Sequence, residues 1–122
     1  MIDERDVSTN HGADAGTAAA IAALANPVRL RIIGELFEAR EYVSELARRL
    51  QIGRPLLHMH LRRLEEAGLV QSTLELSPQG KAMRFYVVAP FDIRLTPASV
   101  AAVGKSIVLD AAVATTTRET GA

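Results

Sequence analysis

The stretch Gly53–Val70 reads GRPLLHMHLRRLEEAGLV, and its spacing specifies one helix with two unlike sides. Turned by roughly 100° per residue, it lines up Leu57, Leu61 and Leu64 on a stripe that suits a core. The opposite arc carries Pro55, Met59, Arg62 and Arg63, with His58 and Arg54 at its edge. Pro55 suits the first turn, where its missing amide donor costs nothing, and Gly68 suits a left-handed C-cap. Leucines are enough to hold a helix on a core. The cluster of arginine and histidine on the other side calls for a different explanation.

Upstream, SELARRL predicts a short helix with Ser44 as N-cap and Leu46 and Leu50 facing inward. Only Gln51, Ile52 and Gly53 separate it from the helix above, which is the skeleton of a helix-turn-helix. Before it, PVRLRIIGELFEAR places Leu30, Ile33 and Phe37 at i, i+3 and i+7, leaving Arg29, Glu35 and Glu38 for solvent. Asn26 and Pro27 separate this helix from TAAAIAALA, a strong helix former that offers Ile21 and Leu24 for packing. Residues 1–14 are polar and aperiodic, and are expected to form a flexible N-terminal arm.

Downstream, LVQSTLEL and AMRFYVV predict two strands. Ser77-Pro78-Gln79-Gly80 is the turn between them, with Pro78 preset for its second position and Gly80 for its fourth. Alternation along the second strand sets Met83, Phe85 and Val87 on one face and Arg84 and Tyr86 on the other. A hairpin directly after a helix-turn-helix describes a wing. Thr96 and Pro97 then start a last helix, on which Val100, Val103, Gly104, Ile107 and Ala111 share a stripe. Small residues there, Ala101, Gly104 and Ala112, admit a close partner, so this helix is read as dimer-forming. TTTRETGA is expected to fray.

The expected fold is mainly α with a small β-hairpin: a winged helix-turn-helix that forms a homodimer through its terminal helices. The expected organisation is an arm over 1–14, the winged domain over 15–95, a dimerisation helix over 96–114 and a tail over 115–122. A chain of 122 residues, 48% hydrophobic, suits a single domain. No apolar run approaches the roughly 18 residues of a membrane span, and the first residues lack the features of a secretory signal. A cytoplasmic location is expected. The absence of cysteine rules out thiolate metal cages and cysteine nucleophiles. Net charge is zero, yet five arginines and no acidic residue lie between Leu46 and Leu64. That segregation favours an anionic partner more than the total charge does.

LANPVRLRIIGELFEAR, VSELARRLQIGRPLLHMHLRRLEEAGLV and KAMRFYVV together resemble the winged-helix repressors of the ArsR type, over roughly residues 17–95. The resemblance implies a homodimer that binds a pseudo-palindromic operator on double-stranded DNA, usually represses transcription, and releases DNA when a ligand, often a metal, binds. It also matches His60 to a histidine common in DNA-binding members. Where metal sensors of the family often carry cysteines at the start of the third helix, this chain reads EYVSELA. Its last helix offers Asp110 but no histidine, and its recognition helix starts with Gly53 and Arg54 where a serine or threonine is common.

The DNA-contact candidates are therefore Arg54, Leu56, His58, Met59, His60, Arg62 and Arg63 on the helix, with Lys81 and Arg84 on the wing. Guanidinium groups grip phosphates or pair with guanine edges, although an arginine pair on a helix can equally be a solvated face. The dimerisation candidates are Ile21, Leu24, Val100, Val103, Gly104, Ile107 and Ala111. His58 and His60, at i and i+2, point about 200° apart and do not readily chelate one ion. No metal site is assigned. Two alternatives stay open: a nickel or zinc regulator with a histidine site assembled from His11 or from paired subunits, and a protein-interaction module on the same scaffold. Neither a G-x-S-x-G elbow nor a phosphate-binding Gly-rich loop is present, and no enzyme activity is expected.

Overall fold

The computed structural model describes residues 15–110. Five helices and three strands follow in the order α1 (Ala15–Leu24), α2 (Pro27–Glu38), β1 (Glu41–Tyr42), α3 (Val43–Leu50), α4 (Arg54–Glu66), β2 (Val70–Leu76), β3 (Ala82–Val88) and α5 (Pro97–Ser106). Residues 19–93 form one compact unit, while residues 15–18 and 94–110 belong to a second.

Local chemistry sets the boundaries. Asn26 caps α2, its side-chain oxygen accepting from the amides of Val28 (2.9 Å) and Arg29 (3.1 Å), with Pro27 in the first turn. Helix α3 starts two residues earlier than the Ser44 cap predicts. Tyr42 is the N-cap and makes no side-chain cap bond, because β1 fixes the chain up to that point. The helix ends at Gln51, a non-glycine residue in the left-handed region (φ 58°), and the amide of Ile52 reaches back to the Ala47 carbonyl at 3.2 Å. Gly68 takes φ 79° just after α4, as a left-handed cap requires.

The sheet is antiparallel in the order β1-β3-β2, with Thr73 and Tyr42 both opposite Phe85. At the wing tip the Gly80 amide donates to the Ser77 carbonyl at 2.8 Å, closing the turn with Pro78 in second position. Tyr86 faces the core, whereas Phe85 on the other face meets the Tyr42 ring edge-on at 5.6 Å. Strand β1 is only two residues long and carries no alternation of its own; pairing with β3 creates it.

Ile32, Leu36, Leu46, Leu57, Leu61, Leu64, Leu69 and Val70 form the buried centre of the larger unit. This corrects the stripe expected on α2. Ile32 and Leu36 are inward, while Leu30 is 53% and Phe37 77% exposed. Ile33 is half-buried against the core. Both sides of α2 are apolar, so its period alone does not say which side meets α3, α4 and β3. Arg29 shares the inward arc with Ile32 and Leu36, at i, i+3 and i+7, and so is not left to solvent.

In the second unit, α5 has the expected start. The Thr96 hydroxyl accepts from the Ser99 amide at 3.0 Å and the Ser99 hydroxyl accepts from the Thr96 amide at 2.9 Å, a reciprocal capping box. The helix stops at Ser106, short of the expected 114. The Ser106 hydroxyl donates to the Val103 carbonyl (2.7 Å), and the β-branched Ile107 takes extended backbone. Val103 is buried, Val100 and Gly104 are exposed, and Ile107 lies exposed beyond the helix end. Ala111, the arm and the tail fall outside the described residues.

Candidate nucleic-acid interface

Helices α3 and α4 with the connection Gln51–Gly53 form the helix-turn-helix, and β2 and β3 form its wing. On α4, Leu57, Leu61 and Leu64 anchor the helix, leaving Arg54, Leu56, His58, Met59, Arg62 and Arg63 exposed. Three arginines and a histidine thus share the outer surface of one helix. A concave region of about 450 Å³ joins its start to the wing, lined by Tyr42, Ser44, Arg54, His58, Lys81 and Arg84 among others. Helix and hairpin, distant in sequence, bring four basic side chains to one cleft.

Charge pairing separates the arginines into two sets. Arg49 reaches Glu35 (3.5 Å), Glu41 (3.2 Å) and Glu45 (3.2 Å), and Arg48 also pairs with Glu45. Hydrogen bonds from Arg48 and then Arg49 hold the Glu45 carboxyl below its ordinary value. Arg40 pairs with Glu75 on the wing. Among the described residues, Arg54, Arg62, Arg63 and Lys81 have no carboxylate within ion-pair distance. The excess of five arginines between Leu46 and Leu64 therefore reduces to three free ones, because Glu35, Glu41 and Glu45 fold back onto Arg48 and Arg49. Arg84 is partly engaged, donating to the Ser72 hydroxyl at 3.0 Å while that hydroxyl donates to Glu65 at 3.0 Å.

His60 does not belong to this surface, and its place among the DNA-contact candidates is corrected. It is 5% exposed and sits between Leu57 and Leu61 on the inward arc, with Nδ1 3.2 Å from Arg29 Nη1. Positions 57, 60, 61 and 64 repeat at the spacing of a single helix face, so a polar residue at 60 falls among the leucines. Burial lowers its pKa, and the positive charges of Arg29 and Arg63 lower it further. His58, two residues earlier, is exposed. Among the described residues no group of three His, Cys, Asp or Glu is placed to hold a metal ion; His11 lies outside them. Of the dimerisation candidates in the larger unit, Ile21 and Leu24 are half-buried. No helix among the described residues is long and apolar enough to cross a membrane.

Sequence signals missed Arg29, which reads as one more exposed helix arginine until α2 is correctly rotated. They also missed the ring of carboxylates around Arg49, whose members come from three separate elements.

Comparison with known proteins gives a consistent picture. The model of the family described as bacterial regulatory protein, arsR family, matches residues 26–72. An HTH-type transcriptional regulator of Methanocaldococcus jannaschii, MJ0229, is 41% identical over 69 residues, covering 57% of this chain and 72% of the relative. Among solved structures, HlyU from Vibrio cholerae N16961 is 26% identical with a TM-score of 0.52, over 75% of this chain and 87% of its own. An ArsR-like transcriptional regulator from Rhodococcus sp. RHA1 is 27% identical with a TM-score of 0.53, over 75% of this chain and 76% of its own. With its winged helix-turn-helix and its match across α2, α3 and α4, the chain belongs to the arsR family of regulatory proteins and is a DNA-binding transcriptional regulator.

Proposed function

We propose that the chain represses transcription as a homodimer, with α4 of each subunit in successive major grooves of a pseudo-palindromic operator about 34 Å apart. Arg54, His58, Met59, Arg62 and Arg63 then face base edges and phosphates, Leu56 makes apolar contact, and Lys81 and Arg84 on the wing meet the flanking backbone. The observation that carries this reading is the charge pairing. Arginines of α3 are neutralised by the protein itself, while those of α4 are left for an external anion. Helix α5 and the exposed Val100 and Ile107 are read as contributing to dimerisation.

The test is selection of duplexes from a randomised pool by the full chain, followed by affinity measurement across a salt series. Neutralising about five phosphates per dimer gives a slope of log K against log salt near −4 to −5. Arg62→Ala with Arg63→Ala should weaken binding at every salt concentration and flatten that slope. Unchanged affinity and slope would remove both residues from the interface.

A further inference from the structure

Arg29 joins three helices. Its Nε donates to the Ala23 carbonyl in the last turn of α1 at 2.6 Å, its backbone belongs to α2, and its Nη1 meets His60 Nδ1 of α4 at 3.2 Å. Every polar hydrogen of a guanidinium is a donor and none of its nitrogens accepts. His60 Nδ1 must therefore offer a lone pair, which makes the ring neutral with its proton on Nε2.

The leucines beside His60 supply attraction without direction, since apolar burial barely resists a small rotation of the helix about its axis. A directional bond does resist it. A side-chain tip lies about 5–6 Å from the helix axis, so a 10° rotation of α4 displaces it by roughly 1 Å. That is enough to spoil a hydrogen bond to a base edge. Arg62 and Arg63 stand two and three residues after His60 on the same helix, so whatever fixes the phase of His60 fixes theirs.

We propose that Arg29 and His60 form a proton-sensitive strut that positions the recognition helix: protonation of His60 Nδ1 releases the helix and weakens DNA binding without either side chain touching DNA. This rests on the reading of α4 as the groove-binding helix. The charges acting on the ring are Arg29 from α2 and Arg63 from its own helix, both positive, while Glu66 of α4 lines the same concave region as Arg29 and Arg63. A protonated ring would face a donor with a donor and add a positive charge beside a guanidinium. Its pKa lies below the ordinary 6.5, so the strut holds at neutral pH and fails on the acid side of that value.

The experiment uses the full chain and a duplex selected by it at about pH 7.5. His11 and His58 are replaced by Gln, leaving His60 the sole histidine of the three. In that background affinity should fall progressively as the solution is acidified below the ordinary histidine value, towards a loss of about tenfold once the ring is protonated, the cost of forcing a buried bond apart. His60→Asn carries an acceptor where Nδ1 stood and cannot titrate, so its affinity should be flat over the same range. His60→Leu, which fills the space without an acceptor, should bind more weakly than His60→Asn at neutral pH while melting cooperatively. Nitrogen-15 shifts of the ring should report the Nε2–H tautomer at neutral pH. A His60→Asn variant with the same acid loss as its parent, or an Nδ1–H tautomer, overturns the strut while leaving the DNA-binding reading intact. A chain that enriches no duplex at all overturns both.

Discussion

Arg40 grips Glu75 with two hydrogen bonds, Nη1 to Oε2 at 2.6 Å and Nη2 to Oε1 at 3.1 Å, and lies 4.2 Å from the centre of the Phe85 ring. Arg40, two residues past the end of α2, thus touches both strands of the wing. A fork of parallel bonds fixes direction as well as distance, and the stacked ring limits sliding. Glu75 lies opposite Met83, so the pair sits beside the turn that carries Lys81 and bears on where that side chain is held.

Replacing Glu75 by Gln adds one unit of net positive charge, which by itself would tighten binding to DNA. If the pair aims the wing, affinity for the selected duplex should instead stay level or fall, and Lys81→Ala should cost less in the Glu75→Gln background than in the parent. A double-mutant cycle measures this. Additive effects would mean that the wing holds its angle without the pair.

The same pair has a defined dependence on pH. Arg40 holds the Glu75 carboxyl below its ordinary 4.5 through the hydrogen bonds, so folding favours the ionised form. Its contribution is complete above the unfolded value and is lost as pH falls through the lowered folded value. Titration of the Glu75 carboxyl carbon by NMR should give a midpoint below 4.5, and Arg40→Ala should raise it.

Asn26 satisfies two amides at the start of α2, the helix that carries Arg29. Asn26→Ala should lower stability by about 1 kcal/mol, visible as a lower midpoint in urea with an unchanged slope. An unaltered midpoint would mean that Pro27 alone sets the helix start.

Gln51 occupies the left-handed region at the end of α3 (φ 58°). Gln51→Gly removes a steric cost of about 1–2 kcal/mol while adding backbone entropy to the unfolded chain. A net gain of about 0.5 kcal/mol is expected on those terms, read as a small rise in the urea midpoint. A loss of stability would show that the Gln51 side chain contributes more than its backbone costs.

Much of the fold was legible because its punctuation is local. Asn26-Pro27, Ser77-Pro78-Gln79-Gly80, Gly68 and Thr96-Pro97 each act through their own backbone, and each behaves as its chemistry predicts. Facing was less legible. On α2 the apolar set Leu30, Ile33 and Phe37 competes with Ile32 and Leu36, and only packing against α3, α4 and β3 selects the second. Arg29 and His60 were misread together for that reason, since turning α2 outward removes the donor that makes a buried histidine acceptable. The exposed arc of α4 needed only one leucine stripe to define it. The sorting of arginines into paired and unpaired was legible only in part: Glu45 stands at i, i+3 and i, i+4 to Arg48 and Arg49, but Glu35 and Glu41 meet Arg49 only in three dimensions.

That sorting bears on selectivity. A regulator must find one address among a vast excess of wrong ones, and every loose cation on its surface raises its grip on all of them alike, by about 0.9 in the logarithmic salt slope for each phosphate met. Glu45 keeps Arg48 and Arg49 from joining in. The carboxylate is thereby a brake on promiscuity, and removing it would yield a stickier protein that discriminates less well.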